Sequence, residues 1–441
     1  MRNCLSFIPD AFFCLFFSIW YTPGQCQQRL DNASFLHRSL KRVTDVIVYD
    51  VYSPPVASRI YAYTCIAGYE AARRGDTSYH SLAGQLKDLP AFASPEQGRE
   101  YNFSLSAIQA MLQVARSMVI SDDSIVFFQR RIQREFKASG MPADVFNRSI
   151  EYGSIIATQV QAWAAKDNYK QTRSFAKYSV SEDDGSWRPT PPAYMKAIEP
   201  HWNKLRPFLL DSASQFKPIA ALEYSTDKNS SFYKEAERVY TTVKQLSSEQ
   251  KEIANFWDCN PFKINVSGHV MFATKKISPG GHWVNIAAQA CKQAKLDFMR
   301  SAEVYVCLSL VMADAFISCW DEKYRSRVIR PETYINQFID PAWMPLLQTP
   351  PFPEYSSGHS VISAAAAAVL TKLFGEGFSY TDATEMEFGL PARKYTSFWQ
   401  AAEEAGISRF YGGIHYMPAI ENGMAGGRRV GEHGISRLKM H

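Results

Sequence analysis

The sequence predicts a mainly α-helical protein folded as a bundle, and three observations lead there. Apolar and small residues recur at i, i+3, i+4 spacing through several long segments. Strict apolar–polar alternation, the mark of a half-buried strand, is scarce, so little sheet is expected. Residues that start and stop helices stand at the edges of the periodic stretches.

In chain order, Ile60, Tyr61, Thr64, Cys65, Gly68 and Ala71 fall on one helix face. Leu105, Ile108, Met111, Leu112, Ala115, Met118 and Val119 do the same. Ser121 then reads as an N-cap, with Asp122 and Asp123 in a first turn where negative charge suits the helix dipole. Residues 170–232 are rich in Pro and Ser around Trp187-RPTPP, and an irregular segment of that length suits a functional or lid-like role better than a plain linker. Ser247 and Gln250 are spaced as a capping box for a helix ending near Trp257. The longest helical pattern runs over residues 284–324 and delivers Trp320 and Lys323 at its end. Residues 360–374 form another, with alanines at 364–368.

Composition narrows the class. A hydrophobic content of 46% with 21% charged residues is ordinary for a globular chain with a large core. The formal charge of +5 on 441 residues is too small to indicate nucleic acid. At the N-terminus, Arg2 precedes an apolar run from Ala11 to Trp20, and Gly24 and Cys26 are small enough to flank a cleavage site before Gln27. Residues 1–26 therefore read as an export signal, and the protein as periplasmic or secreted. Residues 27–245 then read as an N-terminal helical region and 246–441 as a helical core, the part for which the motifs below imply catalysis. Cleavage leaves Cys65, Cys259, Cys291, Cys307 and Cys319, an odd and scattered set that reads as buried thiols rather than a disulfide framework. Beyond the leader no run reaches 18 consecutive apolar residues, so no membrane span is expected in the mature chain and it reads as soluble.

Three C-terminal stretches carry the chemistry: Lys323-YRSRVI-Arg330-Pro331, Ser356-Ser357-Gly358-His359 and Ser408-Arg409-FYGGI-His415. They combine three cations, two histidines and a hydroxyl beside a glycine, which is what holding a tetrahedral oxyanion requires. Ser357-Gly358-His359 precede a helical segment, so free backbone N–H groups at its N-terminus add to the cradle. Arg409 and His415 flank a tight turn at Tyr411-Gly412-Gly413 that brings both side chains to one point. Arg325 and Arg327 read as solvated surface charges, and His282 in Gly281-His282-Trp283 as structural.

In that order the three motifs resemble the superfamily joining type 2 phosphatidic acid phosphatases to vanadium-dependent haloperoxidases, whose patterns are K-x6-R-P, P-S-G-H and S-R-x5-H-x3-D. The first matches completely; Ser356 replaces the proline of the second, and Ala419 the final aspartate of the third. Trp187-RPTPP, Gly281-His282-Trp283, Ala313-Asp314-Ala315 and Thr349-PPFPEY extend the resemblance over roughly the C-terminal 250 residues. It implies a helical bundle of the acid phosphatase/vanadium haloperoxidase type. By carry-over, Lys323, Arg330, Ser357, Gly358 and Arg409 bind vanadate, His415 is the axial vanadium ligand, and His359 is the general acid–base. Trp320 and Phe352 match halide-pocket positions. The missing aspartate normally orients the histidine, and Glu421 or a backbone carbonyl is the expected substitute.

The resemblance implies a vanadate-dependent haloperoxidase-like enzyme that takes hydrogen peroxide and a halide, with homodimers common in such bundles. The alternatives are a soluble acid phosphatase, in which His415 attacks a phosphoester, and a non-catalytic oxyanion-binding protein. Loss of the aspartate tilts the choice toward the peroxidase, because a nucleophile needs the added basicity more than a ligand does.

Overall fold

The computed structural model describes residues 33–267 and 269–441; the leader reading of residues 1–26 lies outside them. Helix α1 (Ser34–Tyr49) is followed by α2 (Pro54–Ala72), where Ser53 caps Val56 N and Pro54 occupies the first turn. Helix α3 (Phe103–Arg116) starts at Asn102, whose side chain accepts from Leu105 N. It ends before Met118 and Val119, which the periodicity includes. Helix α4 (Asp122–Ala138) begins at Ser121 with both aspartates in its first turn, but the Ser121 hydroxyl donates to Asp50 instead of capping. Helices α5 (Ala143–Ala164), α6 (Ser231–Lys244) and α7 (Ser248–Phe256) follow. The Ser247–Gln250 capping box of α7 is present in both halves.

The predicted helix over 284–324 is two helices, α8 (Pro279–Gln293) and α9 (Phe298–Ser326). Between them Lys295 takes a positive φ of 52°, and the Asp297 side chain accepts from Arg300 N to start α9 afresh. A capping aspartate inside an unbroken apolar pattern makes this break. Helices α10 (Pro331–Phe338), α11 (Gly358–Phe374), α12 (Phe398–Tyr411) and α13 (Met417–Arg437) complete the order. Sheet is confined among the described residues to two antiparallel hairpins, β1 (Ile264–Ser267) with β2 (Val270–Ala273), and β3 (Tyr380–Asp382) with β4 (Arg393–Tyr395).

Helix α9 is the axis, packed by α2, α11 and α13, and α2 leans on α3 and α5. It is long and apolar enough to cross a membrane, yet almost all of it is buried within the fold. One hydrophobic core runs from Leu36 in α1 to Met440. Helix α11 offers its alanines to α13, and the two approach so closely that a Cβ on Gly427 would sit 2.1 Å from the Val361 carbonyl oxygen. The five described cysteines are all free and buried, as expected of thiols in a core.

The Pro- and Ser-rich segment is a strap across the bundle rather than a loose connection. Trp187, fully buried, donates its backbone N–H to Arg327 O (2.7 Å), and Ile329 N donates to Gly185 O (2.9 Å). Asp314 in α9 accepts from the backbone N–H groups of Phe208, Leu209 and Leu210 at 2.7–2.9 Å. Ile198 O accepts from Trp320 Nε1 (3.2 Å) and from the Tyr324 hydroxyl. The strap therefore fixes the end of α9 that carries Lys323.

Candidate active site

Four separate elements converge on one buried point. Lys323 lies in the last turn of α9, which stops at Arg327 in a left-handed conformation (φ 53°). Arg330 precedes Pro331, and the ring of a following proline favours extended backbone, here φ −78° and ψ 150°. That geometry turns the Arg330 side chain away from α10. Ser357 caps α11, accepting from Ser360 N and from Ser360 Oγ (2.9 Å). Gly358 and His359 open that helix, where backbone N–H groups lack intrahelical acceptors. Arg409 lies in the last turn of α12, and His415 follows the turn in which Gly413 has φ +75°. Lys323, Arg330, Ser357, Arg409 and His415 are all buried.

Backbone carbonyls of the Thr349-PPFPEY loop aim the cations. Lys323 Nζ donates to Pro353 O (2.9 Å) and Glu354 O (3.0 Å). Arg330 Nε donates to Phe352 O (2.9 Å), and its Nη1 donates to Ile414 O (2.8 Å). Arg409 Nε reaches Ser408 Oγ (3.0 Å), and Nη2 reaches Ala254 O (3.3 Å). Burial drives Lys323 down to about 7 and Arg330 to about 10, and lowers Arg409 as well.

The carboxylate that orients His415 is Glu354. His415 Nδ1 stands 2.7 Å from Glu354 Oε1, which also accepts from Tyr416 N (3.0 Å). His415 Nε2 lies 3.1 Å from Arg330 Nη1, which can only donate. The tautomer follows: Nδ1 carries the proton and donates to Glu354, leaving the Nε2 lone pair among the cations. Burial holds His415 well below the ordinary histidine value, with Arg330, Lys323 and Arg409 adding to it. Burial raises Glu354 to about 7 against the pull of Arg330 and Lys323. The expectation of Glu421 or a carbonyl is thus corrected. Glu421 is exposed on α13, and the Ala419 carbonyl accepts from Ser357 N instead (3.0 Å).

His359 presents a second base. The Trp257 carbonyl accepts from its ring, while Nε2 is buried with no hydrogen-bond partner. Burial and then Arg409 hold it well below the usual value. Arg330 Nη2 is likewise buried and unpartnered.

The chain compares closely with a solved structure described as the first bacterial vanadium-dependent iodoperoxidase. Identity is 48%, with 92% of this chain and 96% of that one covered, at a TM-score of 0.87. The chain belongs to the vanadium-dependent haloperoxidases. The family pattern for the VCPO second helical-bundle domain matches residues 303–441. Holo and apo structures of a bacterial vanadium-dependent chloroperoxidase share the fold at 14% identity. Their TM-scores are 0.67 and 0.65, with 88% and 87% of this chain and 93% and 92% of theirs covered. No curated protein sequence matches.

The residues suit the vanadate this family uses. Burial lowers the proton affinity of Lys323, Arg330 and Arg409 despite the acids around them, Glu354, Asp258, Glu322 and Glu332, so an arriving oxyanion would stabilise their charged forms. Arg330 Nη2 and His359 Nε2 supply an unused donor and an unused acceptor. A Cβ on Gly358 would come within 3.8 Å of Trp320 and 4.0 Å of Lys323, so glycine keeps the floor of this haloperoxidase cradle open.

Trp320 and Phe352 line the same cavity as His359, Arg409 and His415, with ring centroids 5.0 Å apart. Lys323 Nζ and Arg330 Cζ lie 5.1 and 5.2 Å from the Phe352 ring centroid. The surface reading of the other arginines holds: Arg325 pairs with Asp321 and Glu322, and Arg327 is exposed.

Sequence reasoning missed Glu354, although it stands inside the Thr349-PPFPEY segment. Nothing in the spacing links Glu354 to a histidine 61 residues away. The one available signal was an acidic residue inside the apolar, proline-rich run before Ser357, where burial demands a partner.

Proposed function

We propose that this protein oxidises iodide with hydrogen peroxide at vanadate held by His415. The assignment of iodide draws on the iodoperoxidase relative and on the cavity itself. Beyond the cradle the cavity is walled mainly by Trp320, Phe352, Phe316, Phe262 and Pro279, with Cys259 and Asn260 as its polar lining. The Trp320 N–H is already spent on Ile198 O, so the aromatic wall has no indole donor to offer a small, strongly hydrated halide. A large, polarisable anion loses least on entering such a wall.

Bound vanadate supplies Lewis-acid polarisation of the peroxide oxygens. The chain does the rest. Lys323, Arg330 and Arg409 neutralise the oxyanion, and Ser357 with the Gly358 N–H orients it. Glu354 fixes the tautomer that points Nε2 of His415 into the cradle. His359, neutral with a free Nε2, takes the proton that peroxide loses on entry and returns it to the departing oxygen. The observation that carries this reading is the convergence of three buried cations on a neutral, Glu354-oriented histidine.

The binding-only reading loses its support once the carboxylate is found, and the likeness to the iodoperoxidase is what weighs against the phosphatase. Glu354 restores the missing carboxylate, so Ala419 no longer separates ligand from nucleophile. The test is a paired assay on protein lacking residues 1–26. Iodide oxidation that requires added orthovanadate and disappears in His415→Ala supports the proposal. Chromogenic phosphoester hydrolysis inhibited by vanadate would replace it with the phosphatase. We extend the proposal to an exported enzyme on the leader in residues 1–26; a mature N-terminus other than Gln27, or retention in the cytoplasm, would overturn that part.

A further inference from the structure

Beside His359 lies a second polar cluster to which the roles assigned above give no part, although its Cys259 also lines the active cavity. It brings together Cys259 from the loop after α7, His282 from the first turn of α8, and Glu385 from the 3-10 turn Thr384–Phe388 that follows β3. All three are buried, at 1%, 0% and 3% exposure. One ligand-type atom from each falls within 4.8 Å of the others.

We propose that Cys259, His282 and Glu385 bind a divalent transition-metal cation of the zinc class. His282 Nδ1 is 3.4 Å from Cys259 Sγ and 3.2 Å from Glu385 Oε1. A tetrahedral zinc with ordinary bonds to sulfur, nitrogen and oxygen separates its ligand atoms by roughly 3.3–3.6 Å. Glu385 Oε1 is buried and has no hydrogen-bond partner, despite lying so near Nδ1. Cys259 Sγ and Nδ1 share a hydrogen bond while Glu385 Oε1 is left over, so a cation would replace that one proton and engage all three groups. His282 Nε2 lies 2.7 Å from Asp382 Oδ2, and Asp382 Oδ1 is itself held by Thr384 N (2.9 Å). A carboxylate on the far ring nitrogen fixes the tautomer that leaves Nδ1 free to ligate. The Trp257 ring stacks on His282 at 4.5 Å and 19°, and Phe256 meets it edge-on, giving the dry shell that structural metal sites favour.

One thiolate, one imidazole and one carboxylate suit zinc, cobalt or nickel better than calcium or magnesium, which prefer oxygen alone. Among the described residues three protein ligands are present, so the fourth position falls to water. The ligands come from three segments, and the cation would staple them together. Trp257, whose ring covers His282, is also the residue whose carbonyl accepts from His359. The staple therefore backs the wall on which the acid–base histidine rests.

The test is a cobalt titration of the untagged, vanadate-free protein after chelation, followed by optical absorption. One Co2+ per chain is expected, with a thiolate-to-cobalt charge-transfer band and tetrahedral d–d bands, both bleached by Zn2+. Cys259→Ser should keep the d–d bands and lose the charge-transfer band. Glu385→Gln should weaken binding at least about tenfold. No saturable cobalt signal in the folded wild-type chain overturns the proposal and leaves an imidazolium between Asp382 and Glu385. A charge-transfer band that survives unchanged in Cys259→Ser overturns it too, by placing the metal elsewhere. The wild-type titration decides even if a variant fails to fold.

Discussion

His415 and His282 are both buried, and each offers one ring nitrogen to a carboxylate at 2.7 Å, Glu354 for the first and Asp382 for the second. What lies on the other nitrogen separates them. His415 Nε2 faces Arg330, with Lys323 and Arg409 close enough to lower its proton affinity further. His282 Nδ1 faces Cys259 and Glu385, and Asp382 raises its proton affinity strongly against the cost of burial. A histidine–carboxylate pair thus has no fixed meaning. Among cations it is a neutral ligand for an oxyanion; among a thiol and a carboxylate it is a site for a cation or a proton. The sign of the surrounding charge decides.

Removing His415 should break the first arrangement outright. His415→Ala is expected to reduce vanadate-dependent iodide oxidation on the order of 10³-fold or more, measured at saturating vanadate. Folded His282→Ala should still bind vanadate, and a loss of vanadate binding there equal to that in His415→Ala would mean that the two histidines share one function.

The cations should act mainly through affinity. Lys323→Met and Arg409→Met each remove a buried charge-assisted donor, which corresponds to about 10–100-fold weaker vanadate binding. Excess vanadate should recover much of the rate. A rate that stays low at saturating vanadate would assign these residues to the chemical step or to folding.

Glu354→Gln keeps the shape of the side chain and loses the charge that orients His415. Vanadate affinity should fall about 10–100-fold, whereas Glu421→Gln should leave it unchanged. The reverse outcome would restore the expectation taken from sequence and remove Glu354 from the site.

The smallest effect is a proton count. In the anion-free site Lys323 titrates at about 7 and Glu354 at about 7, and an arriving anion raises the proton affinity of both. At pH 6 both already hold protons, so binding takes up few. At pH 8 both have largely lost them, so binding must draw protons in, about one or more per anion. Sulfate, which does not titrate in this range, is the clean probe. Calorimetry at both pH values, in two buffers of different ionisation enthalpy, gives the count. Equal uptake at pH 6 and pH 8 would show that neither group titrates as its burial predicts.

The three motif strings were legible because each is local. Pro331 sets the Arg330 backbone, Ser357 caps the helix that Gly358 opens, and the turn at Gly413 lies between Arg409 and His415. Helix boundaries read well where a cap stood at the end of a pattern, as at Ser247. They failed where Asp297 capped a new helix inside a continuous apolar run. Composition makes residues 170–232 a functional or lid-like segment, but their role as a strap depends on carbonyls and N–H groups of α9 and the segment after it.

By itself, the sequence determined the helical class, the three cations and two histidines of the cradle, and the order in which they arrive. Those properties follow from periodicity and from side-chain chemistry within a few residues. Only the tertiary structure decided which carboxylate serves which histidine. Glu354 reaches His415 and Asp382 reaches His282 across 61 and 100 residues. A buried charge is stable only beside its partner, and packing alone selects that partner. The aspartate missing at Ala419 called in the sequence for Glu421 or a carbonyl, and in the folded chain the acceptor is Glu354.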